Sequence, residues 1–151
     1  MLRLSKMNDY AVVVLGHMAS RPGLVAAPEI ADGTGLPAST VSQVLKKLAH
    51  AGLVVSHRGA HGGYSLGRPA AAISVADLVA ALEGPVALTA CVDAADGECE
   101  VETLCPLRGS WNRVNAAIRA ALESVTLADM LAPLHQPERL AASAVERRPS
   151  A

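Results

Sequence analysis

A mainly α fold carrying one small β-hairpin is what this 151-residue sequence predicts, and three observations carry the prediction. Hydrophobic residues make up 51% of the chain but aromatic residues only 2%, namely Tyr10, Tyr64 and Trp111. An alanine-rich, aromatic-poor core favours packed helices over a large β-sandwich. Apolar residues recur at helical spacing over most of the chain. The one stretch of strand character, residues 53–66, surrounds a glycine-rich turn. Charge is divided unevenly: residues 1–68 hold seven Lys/Arg against three Asp/Glu, and residues 69–151 hold six against eleven. That asymmetry points to one half facing a polyanion.

Each element follows from local signals. Residues 5–20 form a first helix, with Met7, Ala11, Val14, Leu15 and Met18 at three- and four-residue intervals, and Arg21-Pro22-Gly23 breaks it. Pro28 suits the first position of a short second helix, Glu29–Asp32, ended by Gly33 and Gly35. Leu36-Pro37 opens a third helix that runs to about Ala51 and closes at Gly52. Its apolar face is Val41, Val44, Leu45 and Leu48. Leu53–Ser56 and Tyr64–Leu66 are strands joined by the hairpin loop Arg58–Gly63. Ser74 with Asp77 marks the start of a helix over Val75–Leu82, stopped by Gly84-Pro85. Residues 86–106 read as a loop. A longer helix follows, from about Leu107 to Ser124, with Trp111, Val114, Ile118, Leu122 and Val125 on one stripe.

Two short helices across a glycine turn, followed by a hairpin, make a winged helix-turn-helix. The expected organisation is a winged helix-turn-helix domain over 1–85, a cysteine loop over 86–106, a dimerisation helix over 107–132, and a frayed tail over 133–151. A helix-turn-helix places its second helix in the major groove, where short polar side chains read base edges. Ala38, Ser39, Thr40, Ser42 and Gln43 are of suitable type, and Lys46 and Lys47 suit phosphates, which set register. Arg58 and His61 lie where the wing meets the backbone or minor groove. A plain solvated helix face accounts for any one of these residues, but less well for the whole set together with a hairpin arginine.

All three cysteines fall in one segment: Cys91, Cys99 and Cys105-Pro106. No apolar run is long enough for a membrane span. The N-terminus shows no signal-peptide cleavage pattern, so a cytoplasmic protein with reduced thiols is expected. Thiolates are soft ligands suited to zinc, copper(I) and iron–sulfur clusters. Paired zinc knuckles are missing and the nearest downstream histidine is His135. Spacing leaves three readings open: a cluster, zinc or redox thiols, or inert cysteines. An enzyme is not expected, because the glycines of Gly59-Ala60-His61-Gly62-Gly63 precede a strand and not a helix N-terminus.

The joined pattern is specific. Leu2-Arg3-Leu4-Ser5-Lys6 with Asp9-Tyr10-Ala11, then Thr40-Val41-Ser42 and Leu45-Lys46-Lys47-Leu48, then Gly52-Leu53-Val54 and Arg58–Tyr64, resembles the IscR/NsrR/RirA family of iron–sulfur transcriptional regulators. The three-cysteine loop and the helix near Trp111 extend the resemblance to about residue 131. Leu82-Glu83-Gly84-Pro85 and Cys105-Pro106-Leu107-Arg108 are similar to the regulators of SUF-type assembly operons. The resemblance implies a homodimer on a palindromic double-stranded DNA operator. It also implies a [2Fe–2S] or [4Fe–4S] cluster on Cys91, Cys99 and Cys105. Where some relatives carry a histidine as fourth ligand, this chain has Arg108. Asp9 matches the first-helix aspartate that others contribute from the partner subunit, which makes it the candidate fourth ligand. Cluster-free thiol-redox or zinc-dependent regulation on the same fold is the alternative.

Overall fold

The computed structural model describes residues 3–92, 106–107 and 109–132. Helix α1 (Lys6–Ala19) follows Ser5 and buries Ala11, Val14, Leu15 and Met18, the face its spacing marks. Helix α2 (Ala27–Thr34) carries Pro28 in its first turn and extends beyond Glu29–Asp32 at both ends. The stop is Gly35, left-handed at φ 73°, and not Gly33. Gly33 serves a different purpose, the close approach of α1. A Cβ there would sit 2.0 Å from Cε1 of His17. Helix α3 (Ala38–His50) starts at Pro37 and buries Val41, Val44, Leu45 and Leu48 against α1 and α2.

Strands β1 (Val54–His57) and β2 (Gly63–Leu66) pair antiparallel, with Val54 opposite Leu66 and His57 opposite Gly63. Val25 exchanges two backbone hydrogen bonds with Tyr64, at 3.0 and 2.9 Å. That bridge ties the base of the wing to the segment between α1 and α2. A 3-10 turn (Ala70–Ala72) leads to α4 (Val75–Glu83), where Ser74 and Asp77 form the expected capping box.

The helix expected from about Leu107 to Ser124 is present, and a second helix follows it within the 107–132 segment. Helix α5 (Ser110–Glu123) stops, and α6 (Leu127–Leu131) starts from a second capping box, Thr126 with Asp129. Val125 and Leu127 bond back across the domain: Val75 N donates to Val125 O at 2.8 Å, and Leu127 N to Ile73 O at 2.7 Å. Leu127 is fully buried among Leu15, Ile30, Leu45, Leu48, Leu53, Ile73 and Leu78. Leu127 therefore completes the core shared by α1, α2, α3 and α4. The tail over 133–151 and residues 93–105 of the cysteine loop lie outside the described residues.

Candidate nucleic-acid interface and cysteine segment

The outward face of α3 is set by its inward one. With Val41, Val44, Leu45 and Leu48 buried, the helical period leaves Ala38, Ser39, Ser42, Gln43, Lys46, Lys47 and His50 exposed, and Thr40 half-buried on the flank. No acid lies in the first turn, and Lys47 and His50 close the last. The hairpin presents Arg58 and His61, both exposed. His57 Nε2 lies 3.1 Å from Ser65 Oγ across the hairpin. The exposed face of α3 thus carries hydroxyls and an amide able to meet base edges and lysines able to meet phosphates, and the wing carries an exposed arginine.

Lys47 departs from the set. It lies about 100° round the helix from Lys46, and its Nζ donates to the carbonyl of Leu82 in the last turn of α4, at 2.6 Å. Gln43, Lys46, Lys47, His50 and Ala81 line a groove of about 580 Å³ between the two helices. The same turn of α4 is held from its other side. Ser5 N donates to Glu83 Oε1 at 2.9 Å, and Asn8 Nδ2 donates to that oxygen too. The Ser5 backbone bond leads in holding the Glu83 carboxyl below its ordinary pKa, against a small cost of burial, with the Ser5 and Asn8 side chains and the Lys47 charge adding to it.

Beyond Gly84 and Pro85 the chain is fastened to α5 by Asn115, which is 6% exposed. Its amide accepts from Leu88 N at 3.0 Å and donates to Val86 O at 2.8 Å. Cys91 follows, half-buried. Thr89, two residues earlier, has a buried hydroxyl oxygen with no hydrogen-bond partner. Cys99 and Cys105 lie outside the described residues, as does Arg108. No three histidine, cysteine or acidic side chains converge on a metal position among the described residues. The donor chemistry nonetheless fits a thiophilic centre: a half-buried thiol in a segment whose sequence carries two more. Asp9 is exposed on the side of α1 opposite the buried Met18, beside the exposed Val13.

The stripe on α5 divides. Ile118 and Leu122 are half-buried and line a groove of about 310 Å³ with Leu4, Val79 and Leu88. Trp111 and Val114 remain 47% and 45% exposed, and Val125, past the helix end, 37%. No helix among the described residues is long and apolar enough to cross a membrane.

Residues 4–133 match the family model described as Rrf2, an iron-dependent transcriptional regulator. The chain belongs to the Rrf2 family. It is 33% identical over 132 residues to the HTH-type transcriptional regulator IscR of Vibrio cholerae, covering 86% of this chain and 75% of that one. Among solved structures it is similar to CymR, titled the global cysteine regulator of B. subtilis, with TM-score 0.63 and 31% identity over 87% of this chain and 97% of that one. It is similar also to IscR of T. potens, with TM-score 0.59 and 29% identity over 99% and 94%. This Rrf2 protein is thus an IscR-like DNA-binding transcriptional regulator, and its relatives are regulators and not enzymes. Sequence reasoning missed three residues that organise its site: Glu83, Asn115 and Leu127. Only the last had a signal, the Thr126-x-x-Asp129 capping box just ahead of it.

Proposed function

We propose that the protein is a homodimeric repressor whose hold on a palindromic operator is set by an iron–sulfur cluster, [2Fe–2S] or [4Fe–4S]. Its proposed ligands are Cys91, Cys99 and Cys105, with Asp9 of the partner subunit as the fourth. The observation that carries this reading is where the cysteine segment begins, just ahead of Cys91. It leaves the turn of α4 that Lys47 and Glu83 tie to α3 and α1, and Asn115 fastens its first residues to α5. A bound cluster supplies ligand bonds that oxidants, iron shortage or nitric oxide can remove. The chain's own residues do the rest. Asn115 anchors the near end of the segment, the exposed position of Asp9 suits a reach to the other protomer, and Trp111 and Val114 supply apolar surface for the dimer seam. Ala38, Ser39, Thr40, Ser42 and Gln43 read bases. Lys46 holds phosphate, and Arg58 and His61 work from the wing. A change in spacing between two such units changes half-site fit, and a coupling of a few kcal/mol suffices to switch occupancy. The likeness to SUF-operon regulators at Leu82–Pro85 makes iron–sulfur assembly genes the proposed targets.

Iron and acid-labile sulfide, with the visible spectrum, measured on anaerobically purified protein test the reading. Stoichiometric iron and sulfide support it, and Cys99→Ala should then lose the cluster while keeping the fold. A Cys99→Ala protein that retains the full cluster removes Cys99 from the ligand set. Absence of both elements after reconstitution makes a thiol-redox or zinc regulator the better account, a reading that the similarity to a cysteine regulator favours.

A further inference from the structure

Helix α4 has no basic residue of its own in its last turn. Its C-terminal carbonyls therefore lack a local cation to meet the negative end of the helix dipole. Lys47 of α3 fills that place, 2.6 Å from Leu82 O. On the other side, Glu83 accepts from Ser5 N and Asn8 Nδ2 of α1. Two consecutive residues of α4 thus receive donors from both helices that flank it. Lys46, its exposed neighbour on the same groove, has no protein partner among the hydrogen bonds and ion pairs of the described residues.

We propose that Lys47 is a positioning residue: it sets the recognition helix against the last turn of α4, with Glu83 fixing that turn to α1, and does not act as a phosphate ligand. The proposal rests on the DNA-binding reading but not on the cluster. It reassigns one of two adjacent lysines that sequence alone treats as equivalent. It also gives the turn before the cysteine segment a direct hold on the helix that reads DNA.

The test uses duplexes selected from a random-sequence DNA pool by the full wild-type chain, with affinity followed against salt. Failure of the wild-type chain to enrich or bind any duplex rejects the DNA-binding reading itself, before any variant is made. Given binding, Lys46→Met should lower the slope of log affinity on log salt by about one unit. Lys47→Met should keep the wild-type slope and lose affinity by roughly tenfold, one RT ln 10 step in positioning. Lys47→Arg, which still reaches a carbonyl, should restore it. Glu83→Ala removes a negative charge, so a purely electrostatic role predicts tighter DNA binding. The positioning role predicts weaker binding at unchanged slope. A Lys47→Met slope that drops like that of Lys46→Met overturns the proposal. So does a Lys47→Met protein with unchanged affinity, or a Glu83→Ala protein that binds more tightly. Thermal melts by circular dichroism establish that each variant is folded.

Discussion

Gln43 stands on the exposed face of α3 one turn after Ser39, with Lys46 and Lys47 further along the helix. An amide in that place can pair with an adenine edge, and such pairs are worth about 1–3 kcal/mol of discrimination. Gln43→Ala should relax operator preference at one position per half-site while leaving the salt slope intact, as selection from a randomised operator would reveal. The acids respond to pH in a definite direction. Burial opposes ionisation of Asp77, but hydrogen bonds from Ser74 and the charge of Arg68, 3.3 Å away, win and hold its carboxyl below the ordinary value. Glu83 is lowered as well, first by the Ser5 backbone bond. A carboxyl lowered by folding stabilises the native state fully above the ordinary range, about pH 4 to 4.5, and this contribution fades as pH falls through the depressed values. Denaturant melts across that acid window should show Asp77→Asn converging on wild type at low pH and falling short of it at neutral pH.

At the scale of elements, capping and packing were legible in unequal measure. The period of Met7 to Met18, the Ser74–Asp77 box and the glycine-centred hairpin are local signals, so α1, α4 and the wing could be read directly. The length of α2 could not. Gly33 looks like a stop, yet the helix runs through it to Gly35, and the space at Gly33 is taken by His17, a long-range contact. Gly33→Ala should cost about 1–3 kcal/mol, the usual range for overpacking, with the loss read in a urea melt. Combining it with His17→Ala should recover part of the loss, since the three atoms nearest to an added methyl all belong to the imidazole. An additive double variant would show that backbone and not ring is the obstacle. Of the candidate site, the exposed polar face of α3 was legible because its buried face was. The split between Lys46 and Lys47 was not, because it depends on a carbonyl 35 residues away. The stripe on α5 was half legible: spacing finds it, but only packing shows that Ile118 and Leu122 turn to a groove beside α4 while Val114 stays outside.

For the whole molecule, the exposed Trp111 and Val114 give the dimer proposal a direct check. Val114→Glu puts a charge where the proposed seam needs apolar surface. Sedimentation should then show monomers at concentrations where wild type is dimeric, with the helical circular dichroism preserved. Equal sedimentation of the two proteins would move the seam elsewhere. The pairing of residues 73–75 with 125–127 has a different consequence. It closes α4, the cysteine segment and α5 into a ring whose two ends are stapled to each other and to the same core. One severed peptide bond between residues 93 and 105 would therefore divide the polypeptide without parting it. The shorter piece would keep Leu127 lodged among side chains of the longer, so the halves should travel together through gel filtration and separate only in denaturant. The protein is in this sense two strands of a single knot of contacts, and a gene split at the cysteine segment should yield fragments that find each other.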